Sequence, residues 1–172
     1  MLFTKAHEKI SSIFEAVIQV EALERVRMSV MSDMCGKWKL ESRDEHFESF
    51  LTCREVGWFL RKLMTTPANV YQEYKLSPDN TTFTKITSSM GRSTNYDMPT
   101  EGEYCPTKTL SGKQERGRLF ETSGGNLILE MRYVDSGDMA GITRHRVEDN
   151  KLIMEMECKD IISKEVYTKC DS

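Results

Sequence analysis

A regular alternation of apolar and polar residues constrains the fold of this chain more than any other feature of its sequence. It is clearest in two runs, residues 127–133 and 152–159. The apolar positions are Leu127, Leu129, Met131 and Tyr133 in the first run, and Leu152, Met154, Met156 and Cys158 in the second. Because successive side chains of a strand point to opposite faces, this period predicts strands with one apolar and one wet face. The period of two dominates from Lys37 onward, which indicates an all-β domain.

Short turn sequences separate the predicted strands at regular intervals. They contain glycine, proline, asparagine or aspartate, and they occupy residues 77–80, 111–113, 123–125, 135–138 and 148–150. Such short connections predict antiparallel hairpins, because parallel strands need long crossovers. A sheet of this length should close on itself to remove its edges, so the fold class predicted is an antiparallel β-barrel.

One segment near the start of this domain follows a helical period instead. Its apolar residues are Phe47, Phe50 and Leu51, followed by Val56, Phe59, Leu60 and Leu63. Gly57 lies in the middle of the segment and Pro67 closes it. This pattern predicts two short helices with a joint near Gly57.

The first 33 residues form a separate segment. Lys5 and Lys9 precede an apolar stretch, as in a secretory signal, but Glu15 and Gln19 interrupt that stretch. Apolar residues recur at intervals of three and four, so we predict an amphipathic helix, with Ser12 and Glu15 as a capping box.

Two units are therefore expected: a helical extension over residues 1–33 and a β-barrel domain over residues 34–172. The extension either packs on the barrel, or has no role, or contacts a membrane or a partner protein.

Composition excludes several classes of function. A formal net charge of −3 gives no electrostatic basis for binding nucleic acid. The five cysteines are scattered and never in CxxC spacing, so neither a zinc site nor a disulfide framework is expected, and a reducing compartment is favoured. We therefore expect a cytoplasmic protein, compatible with nuclear entry, and do not favour secretion. Nucleophile, phosphate-binding and metalloprotease motifs are all missing from the sequence, so no enzyme activity, cofactor or metal is predicted.

Five segments resemble the fatty-acid-binding and cellular retinoid-binding proteins. They are Gly36-Lys37-Trp38-Lys39-Leu40 with His46-Phe47-Glu48-Ser49-Phe50-Leu51, Val56-Gly57-Trp58, Lys151-Leu152-Ile153-Met154-Glu155-Met156, and Glu165-Val166-Tyr167. The resemblance implies a ten-stranded antiparallel up-and-down barrel with a helix-turn-helix lid. It also implies a monomeric intracellular carrier that takes a single long-chain fatty acid or similar hydrophobic ligand between membranes and proteins. One additional residue lies between Leu40 and Phe47 relative to the usual pattern, and insertions lie at 104–113 and 135–140.

The resemblance also locates a head-group site. Acid-binding members of the family hold the ligand carboxylate with two arginines and a tyrosine, and the last two form an Arg-x-Tyr pair. Here Tyr167 matches the tyrosine, Glu165 replaces the adjacent arginine, and His145 falls at the position of the other arginine, flanked by Arg144 and Arg146.

Glu165 and Tyr167 have the same parity and should both point inward, where a carboxylate needs a cation. The cation is expected to be His145, or Arg144 or Arg146 if the register shifts by one. We hypothesise a polar triad of His145, Glu165 and Tyr167 that favours a neutral or differently charged head group, or binds a fatty acid through water. The alternative is a structural network that ignores the ligand.

Lid and portal candidates are Phe50, Trp58, Leu60 and Met90, although ordinary packing explains such residues equally well. Arg54, Arg61 and Lys62 predict a basic edge that could make transient contact with an acidic membrane. A second function is also compatible with the sequence. The barrel could be a non-carrier interaction or membrane-contact module that acts through its N-terminal helix.

Overall fold

The computed structural model describes residues 2–66, 69–107, 112–121 and 125–170, and the side chains of residues 2–11, 23 and 121 lie outside this description. Pro67 and parts of the turns at 111–113 and 123–125 fall outside the described residues. The helices are α1 (Leu2–Met34), α2 (Phe47–Cys53) and α3 (Trp58–Thr65). The strands are β1 (Gly36–Arg43), β2 (Val70–Leu76), β3 (Thr82–Ser89), β4 (Arg92–Pro99), β5 (Cys105–Thr107), β6 (Glu115–Glu121), β7 (Leu127–Tyr133), β8 (Met139–Glu148), β9 (Lys151–Cys158) and β10 (Ile161–Lys169).

The ten strands form a single antiparallel sheet that curls into a nearly closed barrel. Their order is β4-β3-β2-β1-β10-β9-β8-β7-β6-β5, so the first and last strands of the domain pair with each other. The sheet ends at β4 and β5, which lie in contact, although no ladder joins these two strands in the described part of the chain. The predicted ten-stranded barrel is therefore confirmed.

The two predicted lid helices are also confirmed. Helix α2 packs against β9 and β10 and buries Phe47, Phe50 and Leu51, the apolar residues of its helical period. Helix α3 begins after Gly57 and has no buried residue, and its Trp58 and Phe59 are exposed to solvent. The lid therefore has one helix with buried residues and one helix whose residues are at most partly buried.

A β-bulge in β1 reverses the side of the strand that faces the barrel interior. Leu40 pairs with Tyr167, but the next partner, Val166, pairs with Ser42, so one residue of β1 is unmatched. Such an insertion shifts the alternation by one position. Arg43 therefore lies opposite Glu165, and the extra residue noted between Leu40 and Phe47 has a structural role.

Helix α1 is longer than predicted and starts at Leu2. Ser12 and Glu15 lie inside it, so the predicted capping box is wrong, because the residues before Ser12 continue the helix without a glycine or proline.

The last turns of α1 close the barrel at the end opposite the lid. Met31 and Met34 are fully buried in the main core, together with Trp38 at the start of β1. The indole N–H of Trp38 donates to the Met34 carbonyl at 2.7 Å. Between Ser12 and Val26, by contrast, the described side chains of α1 are exposed. No helix in the described residues combines the length and apolar character needed to cross a bilayer.

A disulfide joins the lid to the barrel wall. Cys53, at the end of α2, is bonded to Cys158, at the end of β9, with their Cα atoms 6.1 Å apart. The expectation of no disulfide is therefore wrong. The two cysteines lie 105 residues apart in the sequence, and only the packing of α2 on β9 brings them together. The remaining cysteines, Cys35, Cys105 and Cys170, are free thiols.

Candidate functional site

The inner face of β10 presents the residues on which the predicted site is based. Glu165 and Tyr167 alternate with exposed or half-buried neighbours, and both are almost completely buried. Their partners on β9 are Met154 and Leu152, which are core residues. Paired residues of antiparallel strands share a face of the sheet. Both predicted side chains therefore point into the barrel.

Arg43 is the cation that neutralises Glu165. Its Nε donates to Glu165 Oε1 at 2.6 Å, and the hydroxyl of Tyr167 donates to Oε2 at 2.7 Å. The expectation that His145, Arg144 or Arg146 supplies this charge is therefore wrong. The bulge in β1 turns Arg43 inward, and the only sequence signal for it was the extra residue before Phe47.

The hydrogen bonds of this site continue across the barrel to β2 and β3. The amide of Gln72 donates to the Tyr167 hydroxyl at 3.3 Å, and the hydroxyl of Thr87 donates to the Gln72 amide oxygen at 2.8 Å. Burial, with the nearby charge of Glu165, raises the pKa of Tyr167 well above its usual value, so the hydroxyl keeps its proton. Each polar group of this chain of residues has a partner, as a buried network requires.

Arg43 also ties this network to the lid. A second nitrogen, Nη1, donates to the carbonyl of Met64 near the end of α3, at 2.8 Å. Its guanidinium lies 3.7 Å from the centre of the Phe47 ring on α2. The Glu165 network thus fixes both lid helices to the final strand, which agrees with the structural role left open by the sequence. A direct contact of Glu165 or Tyr167 with ligand stays a prediction.

His145 points into the barrel, as the predicted register requires, and it is 2% exposed. Its Nδ1 lies 3.2 Å from the carbonyl of Leu127, which can only accept, so Nδ1 carries the hydrogen. Burial, with the nearby charge of Lys85, lowers the pKa of His145 from 6.5 to about 3, so the ring is neutral. Nε2 is then an acceptor, and it has no hydrogen-bond partner within the described structure.

The two arginines beside His145 lie on the outer face of the barrel. Arg144 pairs with Glu157 at 2.6 Å, and Arg146 pairs with Glu148 at 2.8 Å and with Glu155 at 3.0 Å. Adjacent residues of a strand face opposite sides, so an inward His145 excludes an inward Arg144. The structure therefore does not bring Arg144 together with the other predicted site residues.

Lys85 is an inward-facing charge that the sequence interpretation missed. It pairs with Tyr74 on β2 and with Tyr96 on β4, and it shares its face of β3 with the buried Phe83. Burial lowers the pKa of Lys85 from 10.5 to about 8, although the charge of Glu165 raises it. Phe83, Lys85 and Thr87 occupy alternate positions in the sequence, and this alternation was the one signal that could have predicted an inward-facing Lys85.

A second ion pair lies inside the barrel below α2. Arg54 Nη2 and Glu115 Oε2 are 2.7 Å apart, and both side chains are largely buried. The prediction that Arg54 belongs to a basic edge of the lid is therefore wrong, because Arg54 turns inward. Lys62 is paired with Glu48, and Arg61 donates to the Val56 carbonyl.

The predicted portal residues have different environments. Phe50 is buried under α2, Leu60 is half-buried, and Trp58 is 65% exposed. Met90 is 56% exposed in the β3–β4 turn, at the same end of the barrel as the lid.

An open groove of about 450 Å³ lies between the lid and the mouth of the barrel. Arg43, Phe47, Thr66 and Val70 are among the residues that line it. Arg43, the ion-pair partner of Glu165, therefore borders an open groove at the lid.

The interior is packed unevenly. On the β9–β10 side, Met154 and Tyr167 are fully buried, whereas Lys85, Tyr96 and Met131 are only half-buried although they face inward. Tyr96 and Met131 pack against the main core and still keep accessible surface, so they border open space as well as other side chains. The side of the barrel formed by β3, β4 and β7 is therefore the less fully buried side of the interior.

No family model matches the sequence. Solved structures do match the fold. A protein described as REP1-NXSQ fatty acid transporter superposes with a TM-score of 0.70 and 23% identity, over 82% of this chain and 98% of that one. The two chains share the same fold. A Schistosoma mansoni fatty acid binding protein in complex with arachidonic acid gives a TM-score of 0.71 and 19% identity, over 83% of this chain and 99% of that one. Human cRBP IV gives a TM-score of 0.67 and 19% identity, over 80% of this chain and 98% of that one.

The chain thus has the fold of the fatty-acid-binding and retinoid-binding proteins, as the sequence resemblance implied. At these levels of identity the similarity establishes the fold, and the ligand has to be argued from the residues of this chain.

Proposed function

We propose that this protein is a carrier that binds one long-chain fatty acid or similar hydrophobic ligand inside its barrel. In this proposal it is a monomer without enzymatic activity that takes the ligand between membranes and proteins. The observation that carries the proposal is the uneven interior, in which the inward-facing Tyr96 and Met131 pack against the main core and still keep accessible surface. In this proposal the groove at the lid is the access route, and its lining by Arg43 supports that assignment.

The energetics of such a ligand favour its apolar tail. Burying one methylene contributes about 0.8 kcal/mol, so a tail of sixteen carbons contributes on the order of 12 kcal/mol before association costs. A charge-assisted hydrogen bond to the head group adds roughly 1.5–3 kcal/mol. The tail therefore determines affinity, and the polar residues of the interior determine which head group is accepted.

The test is equilibrium binding to the delipidated protein. An environment-sensitive fluorescent fatty acid should bind with a stoichiometry of one, and unlabelled fatty acid should displace it. Mass spectrometry of lipid extracted from the native protein identifies the natural cargo. Failure to bind any lipid would contradict the carrier function, and hydrolysis of an acyl ester would contradict the non-enzymatic part of the proposal.

A second candidate function rests on the exposed middle of α1. Ile13, Phe14, Val17 and Ile18 are each about half exposed or more, which is unusual for apolar residues of a helix. These residues could contact a membrane or a partner protein, with or without a ligand in the barrel. Sedimentation with lipid vesicles distinguishes this function, because Phe14→Glu combined with Ile18→Glu should abolish vesicle binding and leave ligand binding unchanged.

The compartment is part of the same proposal. The cytoplasmic location predicted from the scattered cysteines stays a prediction, and the Cys53–Cys158 bond is a reason to test it. Alkylation of free thiols in intact cells, followed by peptide mapping, would show whether this pair is oxidised where the protein resides.

A further inference from the structure

We propose that Lys85 holds an acidic head group of the ligand, and that this lysine takes the place of the arginine that Glu165 replaces. The proposal rests on the carrier function above and adds the class of ligand and the residue that selects it. It places the head group on β3, away from the Glu165–Tyr167 pair of the final strand.

The charges inside the barrel leave Lys85 without a counter-charge of its own. Glu165 is taken by Arg43 and Tyr167, and Glu115 is taken by Arg54. Among the described side chains, Lys85 has no ion pair or hydrogen bond within normal distances. The charges of Arg43 and Glu165 cancel, and so do those of Arg54 and Glu115. An uncompensated cation among inward-facing residues is costly, and a bound anion removes that cost.

The position of Lys85 suits the polar end of a long ligand. Its β2 partner, Tyr74, lies opposite Gly36 at the start of β1, so Lys85 lies toward the end of the barrel that α1 closes. The lid and the groove are at the other end. A ligand that enters head first beneath the lid would place its head group near Lys85 and leave its tail along the half-buried inner face.

His145 provides the alternative that the proposal must exclude. Its unpartnered Nε2 accepts a hydrogen bond, and its ring meets the ring of Tyr74 edge-on with centroids 6.0 Å apart. An alcohol could accept from Lys85 and donate to His145, whereas a carboxylate could only accept from Lys85. We favour the acid because leaving a buried charge unpaired costs more than leaving a neutral acceptor unpaired.

The test compares three ligands of equal chain length: hexadecanoic acid, hexadecanol and methyl hexadecanoate. Binding of each isotope-labelled ligand is measured by equilibrium dialysis with the delipidated full chain. The variants are Lys85→Met, Lys85→Arg and His145→Phe. Lys75→Met is the matched control, because Lys75 lies on the outer face of β2 and pairs with Glu73. Urea denaturation confirms that each variant is folded.

Lys85→Met should weaken binding of the acid about ten- to a hundredfold and change binding of the alcohol and ester less than about threefold. Lys85→Arg should retain acid binding, and Lys75→Met should match the wild type. Equal loss of acid and alcohol in Lys85→Met, or no loss of either, would overturn the role of Lys85 while leaving the carrier function intact. Loss of alcohol binding in both Lys85→Met and His145→Phe, with the acid bound more weakly by wild type, would replace the acid with an alcohol. Failure of wild type to bind any of the three would overturn the carrier function itself.

Discussion

Reducing the Cys53–Cys158 disulfide should destabilise the protein substantially. A disulfide restricts the unfolded chain, and in the chain-entropy description its contribution grows with the logarithm of the loop that it closes. With 105 residues of separation, this description gives about 4.8 kcal/mol at 25 °C. Domains of this size are typically stable by about 5–15 kcal/mol, so the bond would account for a large fraction of the free energy of unfolding.

Urea denaturation of the oxidised and reduced protein measures this contribution directly. Reduction should lower the free energy of unfolding by several kcal/mol, and the double variant Cys53→Ala, Cys158→Ala should behave like the reduced wild type under both conditions. A variant that lacks the three free thiols, Cys35, Cys105 and Cys170, is the control and should keep the full effect of reduction. A change below about 1 kcal/mol, or peptide mapping that finds Cys53 and Cys158 as free thiols in air-oxidised protein, would refute the reasoning.

Three further predictions concern single side chains. Met34→Ala removes a fully buried residue of the main core and should cost about 2–5 kcal/mol in urea denaturation, whereas an unchanged midpoint would mean that α1 does not close the barrel. Glu165→Gln leaves Arg43 without its counter-charge and should cost about 3–5 kcal/mol, together with faster proteolysis in the lid, and adding Arg43→Met should recover part of the loss. Because the folded-state pKa of His145 is lowered to about 3, the unfolded chain takes up the proton first, and stability should fall by about 1.4 kcal/mol per pH unit from about pH 6.5 toward pH 3. His145→Phe should remove that part of the slope, and identical slopes in the variant and the wild type would show that His145 is not buried in a neutral form.

The elements of the fold could be predicted because each has a local signal. Alternation marks β7 and β9, and helical spacing of Phe47, Phe50 and Leu51 marks α2. The register of β8 was left open between His145 and its two neighbours, and the structure places His145 inward and Arg144 outward. The start of α1 was misplaced, because Ser12 and Glu15 match a capping box whether or not the chain before them is helical.

Contacts between distant segments could not be predicted in the same way. Arg43 reaches Glu165 only because of a bulge in β1, and the extra residue could equally have lain in the loop that follows. Cys53 meets Cys158 because α2 packs on β9, and Arg54 turns inward at the same place to reach Glu115. In each case a residue that the sequence assigned to the surface or to no role has its partner on a strand far away along the chain.

The polar residues of the interior divide into two groups with different consequences for function. The group around Glu165 and Tyr167 has its hydrogen bonds and charges satisfied by Arg43 and Gln72, and it holds the lid in place. In the other group, within the part of the chain that the structure describes, Lys85 has no ion-pair partner and Nε2 of His145 has no donor, and one nitrogen of Arg54 and one oxygen of Glu115 are also without hydrogen bonds. Folding stability alone would favour apolar residues at Lys85 and His145, since unpaired polar groups in an interior are costly. In the function proposed above, the head group of the ligand supplies the missing partner of Lys85, which is a physical reason to keep a charged residue at this inward-facing position rather than at the position of the family motif.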